Sequence, residues 1–278
     1  MTILVTGTSG HLGHLIVERL LARGVPADQI VAGARTPAKV ADLGVRAVEL
    51  DYTKTDTIAT ALDGVDIVML VSGSEVGQRA VQHANVIDAA KAAGVSRIVY
   101  TSAPDARESA LILAPEHKAT EEAIEASGIP ATILRNGWYT ENYAGTLEQA
   151  KSGEIISSTA GGRVSSASRV DYADAAAVVL STDGHEGAVY ELSGDTAWDF
   201  DEFAAVASGI LGTPVTHRSV SPEEHVAALL AAGLDEGTAG FVVALDGNIR
   251  DGLLGHTPGD LGRLIGRPTT PLAEGLAA

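Results

Sequence analysis

Short, nearly uninterrupted apolar runs alternate with longer segments whose apolar positions recur every three or four residues, and this alternation governs the first half of the chain. The runs at 2–6, 29–33, 45–50, 65–71, 97–101 and 130–135 read as strands. The segments at 11–23, 37–42, 55–62, 78–93 and 116–127 read as helices. Strands without polar alternation are buried on both faces, so helices must cover the sheet above and below. The pattern predicts an α/β fold with a doubly wound parallel Rossmann sheet. Ala-Ala-Gly at 92–94 and Ser-Gly-Ile-Pro at 127–130 end helices and lead into the next strand.

Beyond about residue 136 the pattern loosens. A Gly/Ser-rich stretch from Ser157 to Ser168 precedes an Ala-rich helix near 171–180, and short elements punctuated by Pro214 and Pro222 follow. A smaller C-terminal α/β lobe is expected here, closing one side of a cleft. The first domain is placed at 1–135, and 136–278 is assigned mainly to the smaller, substrate-binding lobe, with some segments returning to the first.

Composition narrows the chemistry. Aromatic residues make up only 4% of the chain, so the core rests on Ala, Val, Leu and Ile. No cysteine is present, which excludes disulfides, thiolate zinc sites and a cysteine nucleophile. A formal charge of −17 with no dense Lys/Arg cluster argues against nucleic acid and anionic membranes as partners. With no charged leader and no run of 18 apolar residues, a cytoplasmic protein is expected. A homodimer is one assembly left open.

Chemistry enters at the first strand. Gly7-Thr8-Ser9-Gly10-His11-Leu12-Gly13 follows it directly and opens a helix, with the spacing G-x-x-G-x-x-G. The first glycine permits a sharp turn, the second lets a pyrophosphate approach bare backbone, and the third lets helix and strand pack closely. The helix N-terminus adds free N–H groups and a positive dipole end. This is the entrance to a dinucleotide site, and it makes 1–135 the dinucleotide-binding domain, whose cofactor the second strand decides.

The choice of nicotinamide rests on the second strand, where a carboxylate would select NAD by bonding the ribose 2′-hydroxyl. The chain reads Val31-Ala32-Gly33-Ala34-Arg35 there, with Lys39 a turn further. A guanidinium grips a 2′-phosphate through paired charge-assisted bonds, so NADPH is expected, with NADH weaker. Asp51 and Tyr52, ending the third strand, are placed to flank the adenine. The remaining strand ends supply the rest of the cleft: Ser72-Gly73-Ser74, Thr101, and Asn136-Gly137-Trp138-Tyr139-Thr140-Glu141 running on to Asn142 and Tyr143. That last stretch is the densest polar-aromatic segment of the chain and suits a carboxamide and a flat substrate. No metal is expected: His11 falls inside the phosphate turn, His14 has no completing carboxylate, and His185-Glu186 reads as a turn. No G-x-S-x-G elbow marks a hydrolase.

The glycine turn, Arg35, Asp51-Tyr52, Ser74-Glu75-Val76-Gly77-Gln78-Arg79 and Leu134-Arg135-Asn136-Gly137-Trp138-Tyr139 together resemble the NmrA-like atypical short-chain dehydrogenase/reductases. Among these the chain most resembles the bacterial NAD(P)H:quinone oxidoreductases, with triphenylmethane-dye reductases near. Gly184-His185-Glu186-Gly187, Val189-Tyr190-Glu191-Leu192-Ser193-Gly194-Asp195 and Leu264-Ile265-Gly266-Arg267-Pro268-Thr269-Thr270 extend the likeness over nearly the whole chain. It implies NADPH held by residues 7–12, Arg35, 72–74 and 136–141, with a quinone-like acceptor between the nicotinamide and the small lobe.

Most short-chain dehydrogenases use Tyr-x-x-x-Lys, in which the ammonium lowers the tyrosine pKa for proton exchange. Four residues after Tyr52, Tyr100, Tyr139, Tyr143, Tyr172 and Tyr190 stand Asp56, Pro104, Tyr143, Leu147, Ala176 and Gly194. At the usual position of the motif His117 is followed by Glu121. Alcohol dehydrogenation is therefore disfavoured. Quinone reduction survives the loss, because an electrophilic acceptor needs mainly proximity and orientation, without flavin or metal. His117 is the candidate proton donor, and Tyr139 and Asn142 are candidates for bonding the developing quinol oxygen. The competing reading, also implied by the resemblance, is a non-catalytic NADP(H)-binding redox sensor acting through a protein partner. A reductase tailored to a specialised ketone or iminium is a third.

Overall fold

The computed structural model describes residues 1–277. Its centre is a seven-stranded, wholly parallel sheet in the order β3-β2-β1-β4-β5-β6-β8. The strands are β1 (Ile3–Val5), β2 (Ile30–Ala34), β3 (Arg46–Glu49), β4 (Ile67–Leu70), β5 (Arg97–Ser102), β6 (Ala131–Asn136) and, after β7 (Glu154–Ser157), β8 (Val189–Leu192). The central strands β1, β2, β4 and β5 are buried throughout, as uninterrupted apolar runs require, whereas β3 is a half-exposed edge. Strand order reverses between β1 and β4, and that crevice at the carboxyl ends is where ligands bind in such sheets.

Helices α1 (His11–Ala22) and α6 (Arg169–Ser181) pack against one face, around Ile16, Val17, Leu20, Ala173, Ala176 and Leu180. The alanines of α6 let it run close along α1. On the other face α2 (Thr55–Ala61), α3 (Arg79–Ala93) and α4 (Ala114–Ser127) enclose Ile58, Val86, Ile87, Tyr100 and Ile124. The helix expected at 37–42 is instead a 3₁₀ segment, Pro37–Leu43, broken where Val40 leaves helical geometry (φ −127°).

After β6 the chain leaves the sheet through a 3₁₀ turn (Thr140–Tyr143), α5 (Ala144–Ala150) and β7. It returns with α6 and β8, leaves again through α7 (Phe200–Leu211), β9 (Thr216–Ser219), α8 (Pro222–Ala231) and α9 (Glu236–Arg250), and comes back with α10 (Asp260–Ile265) beside β8 and α6. The last helix, α11 (Leu272–Ala277), packs on the 3₁₀ turn. Strands β7 and β9 form a separate parallel pair. A two-stranded pair offers little area to bury, and here the scarce aromatics are concentrated: Tyr143, Trp198, Phe200 and Phe203 form a ring cluster with centroids 4.8–6.0 Å apart. The fully buried Asp171 accepts from Thr270 and pairs with Arg267, pinning the tail to α6. Among the described residues no helix is long and apolar enough to cross a membrane.

Candidate active site

One cavity of about 770 Å³ lies along the carboxyl ends of the strands. It starts at the β1–α1 turn. Gly7 takes positive φ (63°), and Gly10 donates to its carbonyl at 2.9 Å. A Cβ on Gly13 would stand 2.5 Å from the same oxygen, so helix and turn approach as only glycine permits. Helix α1 has no side-chain cap, which leaves its first N–H groups facing the cavity mouth. Ser9, Gly10, His11, Leu12 and Gly13 line this end together with Gly7. Thr8 does not: its N–H and hydroxyl both bond Gly33 O, at 3.1 and 3.0 Å, and it ties the turn to β2.

Arg35, at the end of β2, lines the cavity with its guanidinium mostly exposed, while Lys39 does not reach it. Asp51 and Tyr52 line it too, but their polar groups are engaged. The Asp51 carboxylate accepts from Thr53 N–H and Oγ1, bonds that hold its pKa below the ordinary value. The Tyr52 hydroxyl donates to Val71 O and lies 2.5 Å from Thr6 Oγ1, and burial pushes its pKa up. Tyr52 clamps β1 to β4, so only its ring is left for a ligand.

Beyond β4, Ser72, Gly73 and Ser74 form the floor, with Ser72 N–H donating to Thr101 Oγ1 (2.8 Å). Gly73 N–H donates to His83 Nε2 (3.0 Å), which makes Nδ1 the protonated nitrogen bonded to Thr120. His83 is fully buried and its pKa falls to about 3 for that reason first. His117, in the first turn of α4, is buried as well, with its pKa lowered to about 4 by burial and then by the charge of Arg79. Its Nδ1 lies 2.8 Å from the Tyr100 hydroxyl. Burial keeps that phenol protonated, and the phenol donates to Nδ1, so the ring's remaining proton sits on Nε2. One turn on, Glu121 accepts from Ser102 (2.6 Å), from Arg135 through two nitrogens (2.9 and 2.8 Å) and from Arg107 (3.2 Å). Burial alone would raise this carboxyl; the bonds outweigh it and hold it below the usual value.

The β6 end completes the wall. A Cβ on Gly137 would meet Leu192 O at 2.9 Å, so the strand exit needs glycine. Asn136 is buried, and its Oδ1 has no hydrogen-bond partner. Because 140–143 is a 3₁₀ turn with three residues per repeat, Tyr139 and Asn142 share one face and both line the cavity. Thr140 and Glu141, expected at the cofactor, point elsewhere. Thr140 bonds Ala167 O and Ser166 in the lobe, and Glu141 accepts the Arg169 N–H at the start of α6. Arg169 lies 4.9 Å from the Tyr139 ring centroid and donates to Asn142 Oδ1 (2.8 Å). Trp138, Leu111, Leu113 and Phe241 add apolar surface to the same cavity that His117 lines. Ser102 closes the fifth strand and Arg79 ends the stretch 74–79, neither with a role assigned from sequence, whereas Arg169 and Phe241 carry no sequence signal for the site. Among the described residues no cluster of three or more His, Asp or Glu is placed to hold a metal ion.

The comparisons agree with this geometry. Residues 7–183 match the family described as NAD(P)H-binding. The chain belongs to that family. Quinone oxidoreductase 2 of Escherichia coli (strain K12) is 46% identical over 279 residues, covering 99% of this chain and 97% of that protein. The crystal structure of NADPH-dependent quinone oxidoreductase QOR2 from Escherichia coli, complexed with NADPH, superposes with a TM-score of 0.95 at 46% identity over 99% of each chain. Citrobacter sp. triphenylmethane reductase complexed with NADP(H) does so with a TM-score of 0.94 at 40% identity over all of both chains. This member of the NAD(P)H-binding family is thus an NAD(P)H:quinone oxidoreductase-like enzyme. Its residues fit a pyridine dinucleotide: the turn at Gly7 leaves room for phosphate against backbone, and the unpartnered Asn136 Oδ1 lacks the donor that a carboxamide carries.

Proposed function

We propose that the protein is an NADPH-dependent reductase of quinones or similarly flat, electron-poor acceptors, working without flavin, metal or a Tyr-x-x-x-Lys dyad. The carrying observation is that one continuous cavity joins the glycine turn to the His117–Trp138–Phe241 end. Its volume, about 770 Å³, is in the range of cofactor and ligand sites. NADPH, when bound, supplies the hydride. The α1 N-terminus receives the pyrophosphate and Arg35 the 2′-phosphate. Asn136 Oδ1, buried without a partner, would accept from the carboxamide of the bound cofactor.

At the acceptor end Trp138, Leu111, Leu113 and Phe241 exclude water from a flat ring. His117 stays neutral at pH 7, since its pKa is near 4. It therefore serves as an Nε2–H donor to the acceptor oxygen rather than as a cation, with the Tyr100 phenol fixing its tautomer. Arg169 occupies Asn142 Oδ1, which leaves the amide NH₂ of this lining residue as a second donor. Tyr139, a partly buried phenol whose pKa is raised by desolvation and which is therefore protonated, is a third. Weak donors suffice for an acceptor that is already electrophilic.

Steady-state oxidation of NADPH with benzoquinone or menadione tests this reading, and turnover is expected. NADPH that binds but stays intact with every quinone and cationic dye overturns it and assigns the chain to the sensor class.

A further inference from the structure

A carboxylate at the end of β2 would have favoured NADH, and none stands there; the fold nevertheless brings one to the same place from the loop after β4. Glu75 Oε1 lies 3.4 Å from Arg35 Nη1, 40 residues away in sequence, and both side chains line the cavity mouth. Glu75 is not a loose surface acid. Its other oxygen, Oε2, accepts at 2.8 Å from Nε2 of Gln82, a buried residue of α3, and its own carbonyl accepts from Gln78 N–H in the turn closed by Gly77 (φ 85°). The carboxylate is thus anchored from below and presents one oxygen to Arg35. Gln82, Glu75 and Arg35 form a strap from α3 across to β2.

We propose that Glu75 is a specificity-determining residue that lowers the preference for NADPH over NADH by competing with the 2′-phosphate for Arg35. This rests on the reading of Arg35 as the 2′-phosphate ligand. Glu75 Oε1, 3.4 Å from Arg35 Nη1, holds one of the guanidinium's donor directions and places a negative charge within about 6 Å of any phosphate oxygen that bonds Nη1. NADPH therefore displaces the carboxylate or accepts like-charge repulsion from it. NADH carries only a hydroxyl at that position. The hydroxyl donates to Glu75 while the ion pair stays closed, so the strap acts against one cofactor and for the other.

The experiment is calorimetric titration of the full-length protein, its E75Q variant and its R35A variant with NADPH and with NADH. Glutamine keeps the size and the bond from Gln82 but removes the charge, and both side chains at the pair are exposed enough for the fold to tolerate either change. In E75Q the ratio of the NADH to the NADPH dissociation constant should rise about threefold to fivefold, the range for releasing an exposed ion pair. In R35A, NADPH should weaken roughly tenfold to hundredfold and NADH far less. A ratio in E75Q that stays within twofold of the parent, or falls, while R35A discriminates as stated, overturns the role of Glu75 and leaves the Arg35 reading standing. Equal loss of both cofactors in R35A overturns the Arg35 reading and the inference with it.

Discussion

At the glycine-turn end of the cavity the wall is main chain, while at the His117 end it is side chain. The phosphate-facing wall of the first end comes from one stretch, Gly7 and Ser9 to Gly13, packed closely on the Gly7 carbonyl. The second draws Ala103, Leu111, His117, Trp138, Asn142 and Phe241 from five separate segments. A main-chain wall tolerates almost no added volume and carries its charge preference in fixed N–H groups that do not titrate. A side-chain wall tolerates volume but stores its chemistry in buried titratable groups. Each end should therefore fail in its own way.

The largest effect is expected at the glycine turn. In Gly13→Ala the new Cβ would meet Gly7 O at 2.5 Å and Gly7 C at 2.8 Å, backbone atoms that cannot swing aside. Forcing the turn open costs about 3 kcal/mol or more, and titration with NADPH should register no binding. Near-parental affinity would show that helix and turn separate easily and would erase the contrast between the ends.

Acid should attack the other end. His83 and His117 are neutral in the fold, with pKa values of about 3 and about 4, against about 6.5 in the unfolded chain. Between those limits the unfolded state binds more protons, so stability is full above pH 6.5 and declines as pH falls. The carboxylates held low, such as Glu121, contribute their loss only below their ordinary range, which leaves pH 6.5 to 4.5 to the histidines. Urea midpoints measured at pH 7 and pH 4.5 should differ by about 2 kcal/mol or more of stability. Equal midpoints would mean that the two rings are solvated.

The same division explains what could be read from the sequence. The sheet strands were legible because apolar runs such as Ile67–Leu70 have one interpretation, and the glycine turn because its physics is local. In the polar stretch 136–142 a 3₁₀ turn sends Tyr139 and Asn142 to the cavity while Thr140 bonds Ser166 and Glu141 accepts from Arg169, a division that depends on a turn type the polar pattern does not encode. Thr8 sits inside the glycine motif, yet its hydroxyl bonds β2, a contact that only the fold reveals. Arg169 and Phe241 reach the site from α6 and α9, and nothing within either helix distinguishes them from residues packing a lobe. Glu75 lay in a quoted stretch, but its pairing with Arg35 depends on the β2–β1–β4 order.

Next in size is His117→Gln. Glutamine keeps a donor near the acceptor oxygen but loses the Tyr100 bond that aims it. The rate constant for quinone reduction should fall about tenfold to hundredfold, while the NADPH dissociation constant stays within about twofold. A matching loss of cofactor affinity would move His117 from the acceptor to the cofactor side.

The smallest change tests the far wall. Phe241 is half-buried on α9 and lines the cavity, with no polar role and no part in the sheet. Truncation to alanine removes apolar contact with a flat acceptor worth about 1 kcal/mol, so KM for menadione should rise about fivefold. Neither NADPH binding nor the rate at saturating quinone should change, because the contact is the same in the ground and transition states. If the rate constant falls instead and KM holds, then α9 orients the acceptor over the reacting carbon, and the side-chain end is as exacting as the glycine turn.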